Sequence, residues 1–199
     1  MQTDTYLTIR NQGESLYKEK GSKFIGLAYP VTDEEAVKEV LQELRKSYHD
    51  ARHHCYAWVL TPAGDRVRAN DDGEPNHSAG DPILGQIKSL NLTNTLVVVI
   101  RYFGGTKLGV SGLIHAYKTA AADALANCTI IEETVRISLS LTYSYEQTSI
   151  VMRTISSFDA NIAEQDFTEN CSLTLEVKAG EYKRLEEELT EIEGVSVLV

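Results

Sequence analysis

The residues whose types and spacing best suit ligand chemistry lie in one segment, Arg101-Tyr102-Phe103-Gly104-Gly105-Thr106-Lys107-Leu108-Gly109-Val110-Ser111-Gly112-Leu113-Ile114. It reads as a strand, a glycine-rich turn and the start of a helix. A helix N-terminus presents unpaired N–H groups and the positive end of the helix dipole. Glycines such as Gly104, Gly105, Gly109 and Gly112 allow positive φ and let a ligand approach the backbone. Arg101 and Lys107 add positive charge, so the chemistry indicated is anion binding. The segment departs from the phosphate loop. Gly104 and Gly109 have the GxxxxG spacing, but Val110-Ser111 stands where Lys-Ser/Thr is required, and GxGxxG is absent. The same glycines also read as a tight strand–helix crossover that only permits close packing.

A second segment, Asp71-Asp72-Gly73-Glu74-Pro75, brings three carboxylates together. They suit a hard cation, or ion pairs with Arg101 or Lys107 across a cleft. The third alternative is an ordinary acidic turn. A dedicated cation cage usually needs more oxygens than this loop offers, so no metal is expected. The stretch His49-Asp50-Ala51-Arg52-His53-His54-Cys55, with His77, holds zinc-ligating residue types. The helix carrying His49 is expected to end before His53, and no standard ligand spacing occurs. Cys55 beside His53 could form a nucleophile pair, although Cys55 opens an apolar strand where a thiol behaves as a small hydrophobe. No GxSxG occurs, and Ser111 reads as a helix cap. No catalytic residue can be named, and no cofactor is expected.

These segments need a scaffold. Tyr6–Ile9 and Leu16-Tyr17 suggest a hairpin or two edge strands, and Lys23–Val31 another strand. Thr32 is expected to cap a helix through Thr32-Asp33-Glu34-Glu35, with Ala36, Val37, Val40, Leu41 and Leu44 as its apolar stripe to about Tyr48. Cys55–Thr61 and Arg66–Asn70 read as a strand pair. Asp71–Gly80 reads as a loop before a helix with Ile83, Leu84, Ile87 and Leu90 inward. Thr95–Phe103 reads as a central strand before a helix over Ser111–Cys128. The last third has the order βαββαβ: a strand Arg136–Tyr143, a helix Tyr145–Phe158, a hairpin of Asn161–Phe167 and Ser172–Lys178 turning at Glu169-Asn170, a charged helix Gly180–Glu193, and a strand Val195–Val199. That order is ferredoxin-like. Two domains are expected, residues 1–133 and 134–199.

Composition is close to the globular average, with 42% hydrophobic and 24% charged residues, which argues against disorder. The start Met1-Gln2-Thr3-Asp4-Thr5 has no basic or apolar leader region, and the apolar run Leu96–Ile100 is far too short to cross a bilayer. Cys55, Cys128 and Cys171 are odd in number and lack CxxC, which fits a reducing compartment. A cytoplasmic protein without membrane contact is expected. The net charge of −10 is uneven. Residues 1–133 carry 14 Lys+Arg against 17 Asp+Glu, a balance of −3, and residues 134–199 carry 5 against 12, a balance of −7. The last third should repel a phosphate backbone, so any nucleic-acid contact belongs to the first part.

Lys20-Gly21-Ser22-Lys23-Phe24, Ala51 through Trp58, Asp71–Pro75, Ala79-Gly80 and above all Val97–Tyr117 resemble the YigZ/IMPACT family over most of residues 15–130. Residues 134–199 resemble the C-terminal domain of its bacterial members. The resemblance implies an α+β fold: a ribosomal-protein-like N-terminal domain similar to domain four of elongation factor G, then a ferredoxin-like domain similar to domain five. Members usually read close to Glu-Pro-Ser-Gly-Thr-Ala-Gly, where this chain has Glu74-Pro75-Asn76-His77-Ser78-Ala79-Gly80. They usually read Gly-Gly-Leu and then Arg-Ala-Tyr, where Ser111 here precedes Gly112 and His115 replaces the arginine.

Eukaryotic relatives restrain the amino-acid-starvation kinase by binding its co-activator. The resemblance therefore implies a binding protein linked to translation or its regulation, with the ribosome, RNA or a translation-regulatory protein as partner. Lys107, Arg101, Arg66 and Arg68 would contact phosphate, and Tyr102 would stack on a base. The alternatives are a hydrolase of peptidase or phosphate-ester type, drawing on His53, Cys55, Asp71, Asp72, Glu74 and Lys107, or a small-anion or nucleotide-binding protein at the glycine turn. Oligomeric state is not legible.

Overall fold

A computed structural model describes residues 4–167 and 170–198. The chain divides into two compact units. Residues 6–133 form one, and Thr134 onward with Asp4 and Thr5 forms the other.

The larger unit is built on β2 (Gly13–Glu19), β3 (Ser22–Pro30), β6 (Thr95–Tyr102), β4 (His53–Leu60) and β5 (Arg66–Asn70), paired in that order. Every neighbouring pair is antiparallel. β6 is the middle strand, and the apolar run Thr95–Ile100 is fully buried because both sheet faces are covered. One face carries α1 (Glu34–Ser47), packed over Leu27, Trp58, Leu60, Leu96, Val98 and Ile100. The other carries α2 (Gly80–Ser89) and α3 (Gly109–Ala126), packed over Phe24, Ala28, Cys55, Ala57, Val97 and Val99. Strand alternation sends odd and even positions of β6 to different cores. β1 (Thr5–Ile9) pairs with β7 (Ile130–Thr134), so the two N-terminal strands belong to separate sheets and form no hairpin.

Three local expectations shift. Asp33, not Thr32, caps α1, because its extended backbone lets the carboxylate accept from Ala36 N–H at 2.9 Å. Leu90 is exposed, since α2 ends at Ser89 and Leu90 falls past the inward stripe. α3 begins at Gly109, so Ser111 sits inside its first turn, and the N-cap residue Leu108 makes no side-chain hydrogen bond there.

The smaller unit has β8 (Arg136–Ser144), α4 (Thr148–Ile155), β9 (Ala160–Phe167), β10 (Asn170–Lys178), α5 (Tyr182–Thr190) and β11 (Val195–Leu198). A single 3-10 turn precedes each helix, Tyr145–Gln147 and Ala179–Glu181, which shortens both against expectation. The sheet order β11-β8-β10-β9 is the ferredoxin-like arrangement, and its neighbours are antiparallel. Leu139, Leu141, Leu173, Leu175, Val151, Ile155, Leu185 and Leu189 form the core. The expected hairpin turn at Glu169-Asn170 and the final Val199 reach beyond the described residues, at 168–169 and 199.

One close approach sets the position of the glycine turn. A Cβ on Gly104 would lie 1.9 Å from the Gly21 carbonyl carbon and 2.1 Å from Ser22 N, and Gly104 N–H donates to Ser22 Oγ at 3.1 Å. A Cβ on Gly105 would meet nothing within 4 Å, although its φ is +87°. Gly104→Ala is therefore expected to cost about 3 kcal/mol by overpacking backbone, and Gly105→Ala about 1 kcal/mol for the left-handed conformation alone. Chemical denaturation of the two variants checks the order, and equal losses would contradict it.

Candidate functional site

The acidic loop is folded by its own carboxylates. Asp71 follows β5 and accepts three backbone N–H bonds, from His77 at 2.9 Å, Ala79 at 2.9 Å and Gly80 at 2.8 Å. It thereby caps α2, whose own N-cap residue Ala79 has no side chain to do so. Burial raises the Asp71 pKa, but the three N–H donors outweigh it and hold the carboxyl below its ordinary value. Asp72 turns the other way. Its carboxylate accepts from His54 N–H at 2.7 Å and from Arg45 at 3.1 Å, and its carbonyl lies 2.8 Å from His53 Nδ1.

Glu74 goes inward. Its Oε1 accepts from Arg101 Nη1 at 2.6 Å and from the Tyr117 hydroxyl at 2.8 Å, with side chains 4% and 7% exposed for Glu74 and Arg101. The three carboxylates thus serve three different partners. Among the described residues, no group of His, Cys, Asp and Glu is placed to hold a metal ion. Cys55 is fully buried. Its thiol donates to the Asp71 carbonyl at 3.0 Å and lies 3.4 Å from the Tyr117 hydroxyl. Burial pushes the Cys55 thiol and the Tyr117 phenol far up, so neither ionises near neutral pH.

On the Arg101 side of the sheet an open pocket of about 500 Å3 lies between the loop and the glycine turn. His53, Glu74, Arg101, Lys107 and Gly109, all expected site residues, line it. Arg52, Pro75, Phe103, Leu108, Val110 and Leu113 complete it. Gly109 has φ +73° and open space where a Cβ would sit. The N-cap residue of α3, Leu108, offers its first-turn N–H groups no side-chain cap. The Arg101 guanidinium Cζ lies over two rings, 5.5 Å from the Phe24 centroid and 5.6 Å from that of Phe103.

The other expected residues are elsewhere. Asp71 and Cys55 support the loop from behind, and Asp72 ties it to α1. Gly104 packs on Gly21-Ser22, and Gly112 rests against Leu108 with a would-be Cβ 3.1 Å away. Tyr102 is on the α1 face, where its hydroxyl donates to Asp50 at 2.7 Å; that hydrogen bond first, then burial, pushes its phenol up to about 12. Arg66 and Arg68 pair across from Leu60 and Trp58 on that same face, and Arg66 binds Glu34 of α1. Arg52 and Phe103 had a signal. Arg52 stands directly before β4, and Phe103 follows Arg101 by two, which puts both on one side of an extended chain.

The class defined here is a two-domain α+β protein: a three-layered N-terminal domain with a glycine-turn pocket, then a ferredoxin-like domain. Residues 20–125 match the family model described as Impact N-terminal domain, and residues 141–192 match Domain of unknown function (DUF1949). The chain belongs to the IMPACT family. It is 30% identical over 188 residues to IMPACT family member YvyE of Bacillus subtilis, covering 94% of this chain and 87% of that one. It is 33% identical over 150 residues to IMPACT family member YigZ of Escherichia coli, covering 74% of each. A solved structure described as that of an hypothetical protein superposes with a TM-score of 0.76 at 27% identity, covering 99% of this chain and 98% of the other. Among the described residues no helix is long and apolar enough to cross a membrane.

Two outcomes follow from the carboxylates. Glu74→Ala leaves Arg101 buried without its counter-charge and should destabilise the fold by about 3–5 kcal/mol, read from urea midpoints; a loss below about 1 kcal/mol would contradict the pair's role. Asp71 has a lower pKa folded than unfolded. Its contribution is therefore fully present above about pH 4, the ordinary carboxyl value, and is lost as pH falls through the lower folded value. Asp71→Asn should flatten that acid-side decline in melting temperature, and an unchanged profile would count against the cap.

Proposed function

We propose that the chain is a non-catalytic binding protein linked to translation or its regulation, and that its N-terminal pocket contacts the phosphate of RNA, free or on the ribosome. The observation that carries this reading is the start of α3, whose N-cap residue Leu108 supplies no side-chain cap, lining a pocket of about 500 Å3 together with Arg52 and Lys107. Helix N–H groups and two cations suit phosphate. Binding is favoured over catalysis by the state of the reactive side chains. Asp71, Asp72 and Glu74 are held in structural bonds, and Cys55 is a buried, protonated thiol. Family membership supports the link to translation, because the resemblance implies a translation-regulatory role and a domain pair like the ribosome-facing end of elongation factor G. The −7 balance of residues 134–199 keeps the contact on the first domain.

Co-sedimentation with ribosomes tests this. Association is expected at low salt, weakening steeply as salt rises, and Arg52→Ala with Lys107→Ala should reduce the bound fraction severalfold without changing the melting temperature, since both side chains are exposed. Absence of any salt-sensitive association would overturn the reading.

A further inference from the structure

The pocket is not shaped only for an anion. Its walls are largely apolar, with Pro75, Leu108, Val110 and Leu113 facing the space beneath the cations. Phe103 is 54% exposed at this site, an unusual position for a phenylalanine, and its ring is held by the Arg101 guanidinium 5.6 Å from the centroid. Arg101 is itself held by the Glu74 carboxylate and by the Phe24 ring. The ring is therefore fixed without being covered. Arg101 also lines the pocket, is more than nine-tenths buried, and keeps a buried Nε with no hydrogen-bond partner. The floor thus retains donor capacity that the protein itself does not use.

Resting on the reading that this pocket contacts RNA, we propose that it takes one unpaired nucleotide: the base stacks on the free face of Phe103, and the phosphate sits at the start of α3 beside Lys107. A cavity of about 500 Å3 is in the range of pockets that enclose a small ligand, and a base pair held in a duplex cannot leave its stack to enter it. Stacking on an aromatic face tolerates any base, so the preference is for unpaired over paired strands, not for a sequence. Glu74 raises no objection on the floor, because its charge is neutralised by Arg101.

Fluorescence anisotropy of the full chain tests this with a short single-stranded RNA, the same sequence as a blunt duplex, and adenosine monophosphate as competitor. The single strand should bind at least about tenfold tighter than the duplex, and Phe103→Ala should remove about tenfold from the single strand alone, with its salt slope unchanged. Phe103→Trp should restore it. Lys107→Ala should weaken both RNAs and reduce the salt slope by about one. Displacement by adenosine monophosphate in wild type but not in Phe103→Ala would show that a free nucleotide also satisfies the pocket; lack of displacement with the other results intact would assign it to a strand. If Lys107→Ala weakens binding while Phe103→Ala changes nothing, or if the duplex binds as tightly as the single strand, the stacking proposal falls and the RNA reading stands. If no RNA binds at low salt, both fall.

Discussion

The buried contact between Glu74 and Arg101 is the constraint on which the pocket depends. Removing two charges from water is costly, and their attraction compensates only when the geometry is good and the remaining lone pairs are used. Here the Tyr117 hydroxyl supplies a second bond to the same carboxylate oxygen, and the guanidinium lies over two aromatic rings. The pair joins the acidic loop to the central strand β6, and Tyr117 brings in α3. Three elements far apart in the chain are thereby held at one point. The pocket depends on it directly, because Glu74 and Arg101 both line that space.

The places where the chain departs from its family pattern make sense around this point. His77 stands where members usually have glycine and keeps a left-handed backbone at φ +63°. That conformation costs a non-glycine residue about 1 kcal/mol. Its N–H is bound by Asp71, and its ring lies 2.6 Å from Asp81, contacts that offset the cost. Ser111 replaces a glycine where φ is not positive, so it brings no strain. His115 replaces an arginine but is not among the pocket-lining residues; it lies edge-on to Tyr17, ring centroids 6.0 Å apart. The exposed cations on the pocket lining are therefore Arg52 and Lys107.

Much of the scaffold was legible because period and turn chemistry are local. The strands and helices around the site, the central place of Thr95–Tyr102 and the βαββαβ order could all be read from alternation, apolar stripes and glycines. The partners of buried charges could not, because pairing between residues 27 or 43 apart in the chain depends on tertiary packing. Gly104 serves close packing on Gly21-Ser22, whereas Gly105 and Gly109 have positive φ facing open space. Strand alternation along β6 and β5 puts Tyr102, Arg66 and Arg68 on the α1 face, and the same alternation makes Phe103 the aromatic beside Arg101.

Phosphate recognition by this protein requires that the first turn of α3 and the residues before it receive the anion. The most direct measurement is a titration of the 15N-labelled full chain with a short single-stranded RNA, followed by amide chemical shifts. The amides of Lys107, Leu108, Gly109, Val110 and Ser111 are predicted to move together and saturate, while those of α5 stay still. Saturable shifts centred on the α1 face or on residues 134–198, with the Lys107–Ser111 amides unmoved, would contradict it.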